Sequence, residues 1–263
     1  MFISRAQAAR MIALCLIPAT AIGVGLAVCT RNAAAAQESR TGAAQADPPA
    51  NSLAARGKMI FDQTPKLAAP YVGNKLSCSD CHIDSGTKDY ASSLKDVAGL
   101  FPSYSKRAGR VITLTERVNE CFVRSENGHP LPAKSPEMLA MIAYMQFLAQ
   151  GQKPGQPYAK RGLAKLPELA GDATRGKQIY NQSCAMCHGV NGGGMPPVMP
   201  PVWGPDSYND GAGMSHTPKM AAWVYKNMPQ TNPGSLTPQQ SYDVSAYIDS
   251  MPRPQFNPVY KSF

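Results

Sequence analysis

Cys78-Ser79-Asp80-Cys81-His82 contains the pattern C-x-x-C-H, and Cys184-Ala185-Met186-Cys187-His188 repeats it. This pattern attaches c-type haem: the two thiols form thioethers with the porphyrin vinyl groups, and the histidine ligates the iron. The alternatives are a pair of disulfides or a Cys/His zinc site. Disulfides would leave the histidines unused, and a zinc site would use them at a spacing that is unusual for zinc. The two stretches therefore predict two covalently bound haem c groups, each containing one iron.

The segments around the two motifs also repeat. Arg56 to Thr64 and Arg175 to Ser183 match almost residue for residue, and each has apolar residues at helical spacing. Pro65 to Ser77 is an insertion in the first copy. Each half closes with a helix that starts at a proline, Pro136 to Leu148 and Pro238 to Ser250. We therefore predict a mostly α-helical protein with two tandem cytochrome c domains, each wrapped around one haem and with little regular sheet.

This repeat divides the chain into consecutive parts. We expect an N-terminal cytochrome c domain with haem 1 over residues 51–150 and a C-terminal one with haem 2 over residues 173–252. Residues 151–172 are rich in Gly, Pro and Lys, which favours a linker. Residues 253–263 form a C-terminal tail.

Residues 1–37 have the features of a signal peptide. Arg5 and Arg10 precede an apolar run from Met11 to Val28, and Ala33-Ala34-Ala35-Ala36 offers a cleavage site. Because the run is long, retention as an uncleaved anchor is the alternative. We expect a periplasmic protein that contacts the membrane only if this segment is retained.

The formal net charge is +9, and the leader contributes three arginines and no acid, which leaves +6 for the remainder. A modest positive excess suits a small anionic substrate or an acidic partner. The chain has no basic run of the kind that nucleic-acid-binding proteins carry. Nucleic acid is therefore not an expected partner.

Cys121 is the one cysteine after the leader that the haem motifs do not use. It follows His82 by thirty-nine residues, and Met228 follows His188 by forty. This shared register predicts that His82 and Cys121 ligate the iron of haem 1, and that His188 and Met228 ligate the iron of haem 2. For haem 1 the alternatives are an inert buried thiol and His129 as the ligand. Four other methionines compete with Met228: Met195, Met199, Met214 and Met220.

A cysteine thiolate at an iron is better suited to sulfur chemistry than to simple electron transfer. The metal keeps the thiol deprotonated, and a thiolate attacks sulfur–sulfur bonds. Helical spacing places Arg117, Cys121 and Ser125 on one face. The guanidinium fork suits sulfonate and carboxylate oxygens, although haem propionates would use it equally well. Four arginines lie within fourteen residues of Cys121: Arg107, Arg110, Arg117 and Arg124.

The sequence around Cys121 resembles the dihaem thiosulfate dehydrogenase family. The resemblance runs through Arg107, Arg117, Asn119-Glu120-Cys121-Phe122 and Arg124-Ser125, and continues through Pro201 to Met214 and Asn227-Met228-Pro229. It implies oxidation of two thiosulfate ions to tetrathionate, with haem 1 as the active site and haem 2 as the electron exit. The implied acceptor is a small periplasmic cytochrome c or a high-potential iron–sulfur protein.

The same resemblance implies roles for individual residues. Cys121 would be the distal ligand and would carry a thiosulfate-derived sulfane adduct. Arg107 and Arg117 would bind sulfonate groups, and Ser125 would hydrogen-bond nearby. Asn227 stands where some members have a lysine, and asparagine occurs in members that work more readily as tetrathionate reductases, so the preferred direction stays open.

Two other functions compete with this interpretation. One is a dihaem electron carrier without substrate chemistry. Such carriers tend to use His/Met ligation at both irons, so the presence of Cys121 argues against this function. The other is a subunit that loads sulfur onto a carrier protein.

Overall fold

The computed structural model describes residues 46–153 and 155–263, so the predicted signal peptide lies outside the described residues. Within these ranges the structure is mostly α-helical, as predicted, with one two-stranded antiparallel sheet. None of the described helices combines the length and the hydropathy that crossing a bilayer requires.

From residue 46 onward, the described part of the first half has six α-helices, two 3-10 turns and the sheet. Its α-helices are α1 (Leu53–Asp62), α2 (Thr64–Leu67), α3 (Cys78–Cys81), α4 (Ile83–Gly86), α5 (Leu114–Phe122) and α6 (Pro136–Leu148). The 3-10 turns are Ala69–Tyr71 and Val97–Leu100. Strand β1 (Ser103–Ser105) pairs with β2 (Arg110–Ile112), with Ser103 opposite Ile112.

The second half repeats the helical pattern of the first. Its α-helices are α7 (Ala173–Ser183), α8 (Ala185–His188), α9 (Thr217–Asn227) and α10 (Pro238–Asp249), and its 3-10 turns are Gly213–Ser215 and Pro258–Tyr260.

Capping side chains explain where the long helices begin. The backbone N–H of Ala55 donates to Ser52 Oγ at 3.0 Å before α1, and the N–H of Thr174 donates to Asp172 Oδ1 at 2.8 Å before α7. Helices α6 and α10 start at prolines, where a missing N–H costs no hydrogen bond. All four predicted helices are present, but α1 ends at Asp62, so Thr64, predicted as its last residue, begins the separate helix α2. Helix α10 ends one residue earlier than predicted, because Ser250 is its C-cap.

In each half the first long helix packs directly against the last one, α1 on α6 and α7 on α10. The contact is close because a glycine lies at the crossing. A Cβ atom on Gly57 would overlap the carbonyl oxygen of Ala140, and one on Gly176 would overlap the carbonyl oxygen of Asp243. The repeated Arg-Gly-Lys sequence is therefore a packing motif.

The two halves share part of their apolar interior. One cluster lies within the first half and includes Phe61, Phe122 and Tyr144. The other contains Trp203 and Trp223 from the second half, and also three residues of the first half: Leu76, Ile83 and Ala91. The second core is therefore completed by side chains that flank the first C-x-x-C-H motif.

The insertion in the first copy joins the two halves. Asn74 Nδ2 donates to the carbonyl oxygen of Ser207 at 3.1 Å, and Lys75 Nζ lies 2.8 Å from Asp206 Oδ2. Additional length before Cys78 thus provides contacts with the second half.

The segment expected as a linker has no helix or strand in its described part, and it is fastened to the first half. Tyr158 Oη donates to Asp89 Oδ1 at 2.8 Å, and Lys160 Nζ lies 3.1 Å from Asp89 Oδ2. The N–H of Tyr90 also donates to the carbonyl oxygen of Lys160 at 2.9 Å. These contacts hold the segment against the loop that follows the first haem motif.

The crossing of α7 and α10 gives a stability prediction. The Gly176→Ala substitution should lower the free energy of unfolding by about 1–3 kcal/mol, because the added methyl group forces two helix backbones apart. Thermal unfolding followed by circular dichroism measures the loss. Gly213→Ala is the matched control, because nothing lies within 4 Å of a Cβ atom at Gly213. Equal melting temperatures for the two variants would contradict the packing role.

Candidate active site

The histidine of each C-x-x-C-H motif is oriented by a backbone carbonyl. His82 Nδ1 lies 2.7 Å from the carbonyl oxygen of Ser92, and His188 Nδ1 lies 2.9 Å from that of Pro200. A carbonyl oxygen only accepts, so each Nδ1 carries the proton and donates it. This tautomer leaves Nε2 with a lone pair for a metal, which is the usual arrangement of a ligating histidine.

A cavity in the first half has the donor side chains that haem requires. It contains about 1140 Å³ of empty space, part of which is open to solvent. Cys78, Cys81, His82 and Cys121 all line it, together with apolar side chains such as Phe61, Leu94, Val97, Phe101, Leu114 and Met141. Two thiols for attachment, an imidazole and a third sulfur in an apolar cavity fit a haem c with His/Cys ligation.

The alternatives to haem find no support in the described residues. All five cysteines there are free, so none forms a disulfide. No three His, Cys, Asp or Glu side chains of these ranges converge as a metal site.

Cys121 lies on α5, one helical turn after Arg117. Arg117 Nη1 donates to Cys121 Sγ at 3.0 Å, and the His82 imidazole lines the same cavity. Burial alone would raise the pKa of Cys121, but the positive charge of Arg117 and the interaction with His82 lower this pKa to about 6. The predicted neighbours are therefore brought together around a thiolate.

Ser125 is not on the helix, so the predicted common helical face is wrong for this residue. Helix α5 ends at Phe122, because the N–H of Gly128 folds back to the Phe122 carbonyl oxygen and Asn127 has a left-handed backbone, with φ at 47°. Ser125 lies in the turn that follows, yet it still lines the cavity. The turn, rather than the helix, brings Ser125 beside Cys121.

Arg107 is farther from the cavity than predicted. It is exposed in the hairpin turn between β1 and β2 and is not among the residues that line the cavity. The hairpin is tied to α5, because Ser105 Oγ donates to Glu120 Oε1 at 3.2 Å. Of the two arginines, only Arg117 therefore lines the cavity, while Arg107 lies outside it.

Arg124 contributes a third positive charge to this region. Its side chain is only 4 % exposed, its guanidinium lies 4.4 Å from the centre of the Phe256 ring, and Nη1 has no hydrogen-bond partner among the described residues. Burial, together with repulsion from Arg107 and Arg117, lowers the pKa of Arg124. The three arginines thus interact electrostatically.

Two charged residues of the cavity were not predicted. Glu126 is 2 % exposed, and burial together with the charge of Cys121 raises its pKa well above the ordinary value. Arg161 comes from the expected linker, lines the cavity, and its Nε lies 3.5 Å from Asp96 Oδ2. Proximity to Cys121 in the sequence could have indicated Glu126, whereas no local pattern marks Arg161.

The second haem motif lies at the edge of the second apolar cluster, against which both Cys184 and Met228 pack. Of the competing methionines, Met195 is mostly exposed and Met220 is buried in the cluster. Asn227, which precedes Met228, is fully buried, and its Nδ2 donates to the carbonyl oxygens of Tyr90 and Trp223 at 3.2 and 2.8 Å. This side chain links the two halves.

Comparison with known proteins covers both halves of the chain. A family model described as SoxA/TsdA cytochrome c domain matches residues 68–153, and a cytochrome c model matches residues 173–252. The thiosulfate dehydrogenase of Stutzerimonas stutzeri is 39 % identical over 218 residues, which are 80 % of this chain and 71 % of that protein. That of Allochromatium vinosum is 37 % identical over 76 % of this chain and 78 % of the relative.

A solved structure shows the same architecture. The thiosulfate dehydrogenase TsdBA from Marichromatium purpuratum, in its as-isolated form, matches with a TM-score of 0.75 and 35 % sequence identity. The match covers 81 % of this chain and 48 % of that one, so this chain spans about half of its length. The matches confirm two cytochrome c domains, which imply two covalently bound haem c groups. The chain therefore belongs to the thiosulfate dehydrogenase family of c-type cytochromes, oxidoreductases that act on a sulfur donor.

Proposed function

We propose that this protein joins two thiosulfate ions into tetrathionate at the first haem site, and that the two electrons leave one at a time through haem 2 to an external acceptor. The observation that carries the proposal is the Cys121 thiolate, which faces His82 in the cavity and accepts a hydrogen bond from Arg117 at 3.0 Å. His82 and Cys121 are the ligands proposed for haem 1, and His188 and Met228 those for haem 2.

The sulfur chemistry follows from the thiolate. When bound, haem supplies a one-electron acceptor at each site. The Cys121 thiolate forms a bond with the outer sulfur of the first thiosulfate, which releases two electrons and leaves an S–S–sulfonate on the cysteine. The outer sulfur of the second thiosulfate then attacks that bound sulfur and displaces the thiolate. Tetrathionate leaves, and Cys121 is regenerated.

Positive charge makes the pairing of two dianions possible. Guanidinium groups bind sulfonate oxygens with two parallel hydrogen bonds and remain charged at any relevant pH. Arg117 is placed to hold a sulfonate beside Cys121, and Arg107 to attract anions at the entrance. Ser125 lines the same cavity and offers a hydroxyl donor. Such groups, fixed before the substrate arrives, lower the cost of bringing like charges together.

Electrons leave through the second domain to a small periplasmic cytochrome c or a high-potential iron–sulfur protein. Histidine and methionine ligands give a high potential that favours onward transfer. Exposed uncharged side chains lie within and just after the second haem motif, with Met186 87 % and Val190 79 % exposed. These suit the small, weak interfaces of electron-transfer partners. The reaction is reversible in this proposal, and residues 1–37 direct export.

Replacing Cys121 tests the reaction. The Cys121→Met variant should retain both haems and be reduced by dithionite, but its tetrathionate formation should fall to background because a thioether has no thiolate that can form the sulfur–sulfur bond to thiosulfate. The measurement is product analysis after incubation with thiosulfate and an excess of a chemical electron acceptor. Tetrathionate formation at the wild-type rate would show that Cys121 does not form the bond to thiosulfate and would contradict the proposed mechanism.

Replacing Arg117 tests the anion site. The Arg117→Gln variant should lose about a hundredfold in kcat/KM for thiosulfate, since it removes one charged donor beside the reacting sulfur. Arg110→Gln is the control, because Arg110 is exposed on β2 and pairs at 2.7 Å with Glu116, which lies on the same helix as Arg117. Steady-state kinetics of the two variants measure the difference, and an equal effect would show a general charge contribution instead of a specific contact.

A further inference from the structure

The turn after α5, Val123–Asn127, carries Ser125 and follows Cys121 directly, yet much of its support comes from other parts of the chain. On the N–H side the turn is bonded to the helix end, because the N–H groups of Arg124, Ser125 and Glu126 all donate to the Cys121 carbonyl oxygen. On the carbonyl side, the oxygens of Val123, Arg124 and Ser125 all accept hydrogen bonds from distant residues. The distant donors therefore act on a turn that is bonded directly to Cys121.

Asn209 of the second domain provides most of this support. Its backbone N–H donates to the Arg124 carbonyl oxygen at 3.1 Å. Its side-chain Nδ2 donates to the Val123 carbonyl oxygen at 3.0 Å and to Asn127 Oδ1 at 3.1 Å. The residue is 1 % exposed, so water cannot replace these bonds and their loss would leave buried acceptors unpaired.

The insertion before Cys78 supports the same turn from another element. Asn74 Nδ2 donates to the Ser125 carbonyl oxygen at 2.7 Å and to the Ser207 carbonyl oxygen at 3.1 Å. The N–H of Gly73 donates to the Glu126 carbonyl oxygen at 2.9 Å. The turn is thus held between the insertion and the second-domain loop that contains Ser207 and Asn209.

We propose that Asn209 is a positioning residue of the first haem site: it fixes the turn that follows Cys121 and thereby orients Cys121 and Ser125 for reaction. The expected loss of activity rests on the proposed function, whereas the expected change in the geometry of the first haem site does not. The second domain, on this account, completes the active site of the first as well as conducting electrons. The proposal also gives a role to the Pro201–Met214 segment, which contains Asn209 and for which the sequence alone indicated no role.

The test compares Asn209→Asp with Ser207→Ala in the holoprotein. The aspartate variant keeps the size of the side chain but removes both side-chain donors, and it places a carboxylate against two acceptors. Ser207→Ala removes a buried hydroxyl that bonds the Pro201 carbonyl oxygen in the same loop but does not touch the turn. Electron paramagnetic resonance of the oxidised protein then reports the ligand geometry of each haem separately.

In Asn209→Asp we expect the signal of haem 1 to broaden or divide into several species, while that of haem 2 is unchanged. kcat/KM for thiosulfate should fall by about ten- to a hundredfold, since displacement by an ångström costs that much. Ser207→Ala should keep the wild-type spectrum and kinetics even if its melting temperature falls. If Asn209→Asp does not fold, the smaller Asn209→Ser, which keeps the backbone bond, is measured instead.

A wild-type haem 1 signal together with wild-type kinetic constants in the folded variant would overturn the proposal. A changed haem 2 signal with an unchanged haem 1 signal would also overturn it, because the effect would then lie in the second domain alone. If wild-type protein formed no tetrathionate, the proposed function would fail, while the comparison of the haem 1 signals would still decide the role of Asn209.

Discussion

The contact between the Arg117 guanidinium and the Cys121 thiol is the interaction on which the site depends. A thiolate buried in an apolar cavity is unfavourable unless a positive charge lies beside it, and Arg117 supplies that charge at 3.0 Å. The His82 imidazole lines the same cavity. Sulfur chemistry is favoured because the fold holds this half-buried thiol beside a cation that lowers its pKa.

The two domains depend on each other more than a tandem repeat requires. The indole N–H of Trp223, on a helix of the second domain, donates to the Cys81 carbonyl oxygen at 2.9 Å, within the first haem motif. Asn227 reaches the Tyr90 carbonyl oxygen, and Leu76 and Ile83 complete the second core. The positions of both haem motifs are therefore fixed by one packed unit. This arrangement is consistent with electron transfer between the two sites over a constant distance.

Much of the fold and of the candidate site could be predicted from the sequence, because these features follow from local sequence patterns. C-x-x-C-H identifies haem, a proline start identifies α6 and α10, and the common register of Cys121 and Met228 relative to their histidines points to equivalent positions. What escaped prediction depends on distant contacts. Ser125 leaves the helix because Gly128 folds back onto Phe122. Arg161 reaches the cavity because its neighbours Tyr158 and Lys160 bind Asp89. The role proposed for Asn209 depends on hydrogen bonds that form only when the two domains pack together.

The central claim is that thiosulfate itself delivers electrons at the first haem site. The most direct test is to mix the fully oxidised protein with thiosulfate in a stopped-flow spectrophotometer, without oxygen or added acceptor, and to record the visible spectrum. The account predicts prompt appearance of reduced haem bands. Haems that stay oxidised with thiosulfate, but are reduced at once by dithionite, would contradict it.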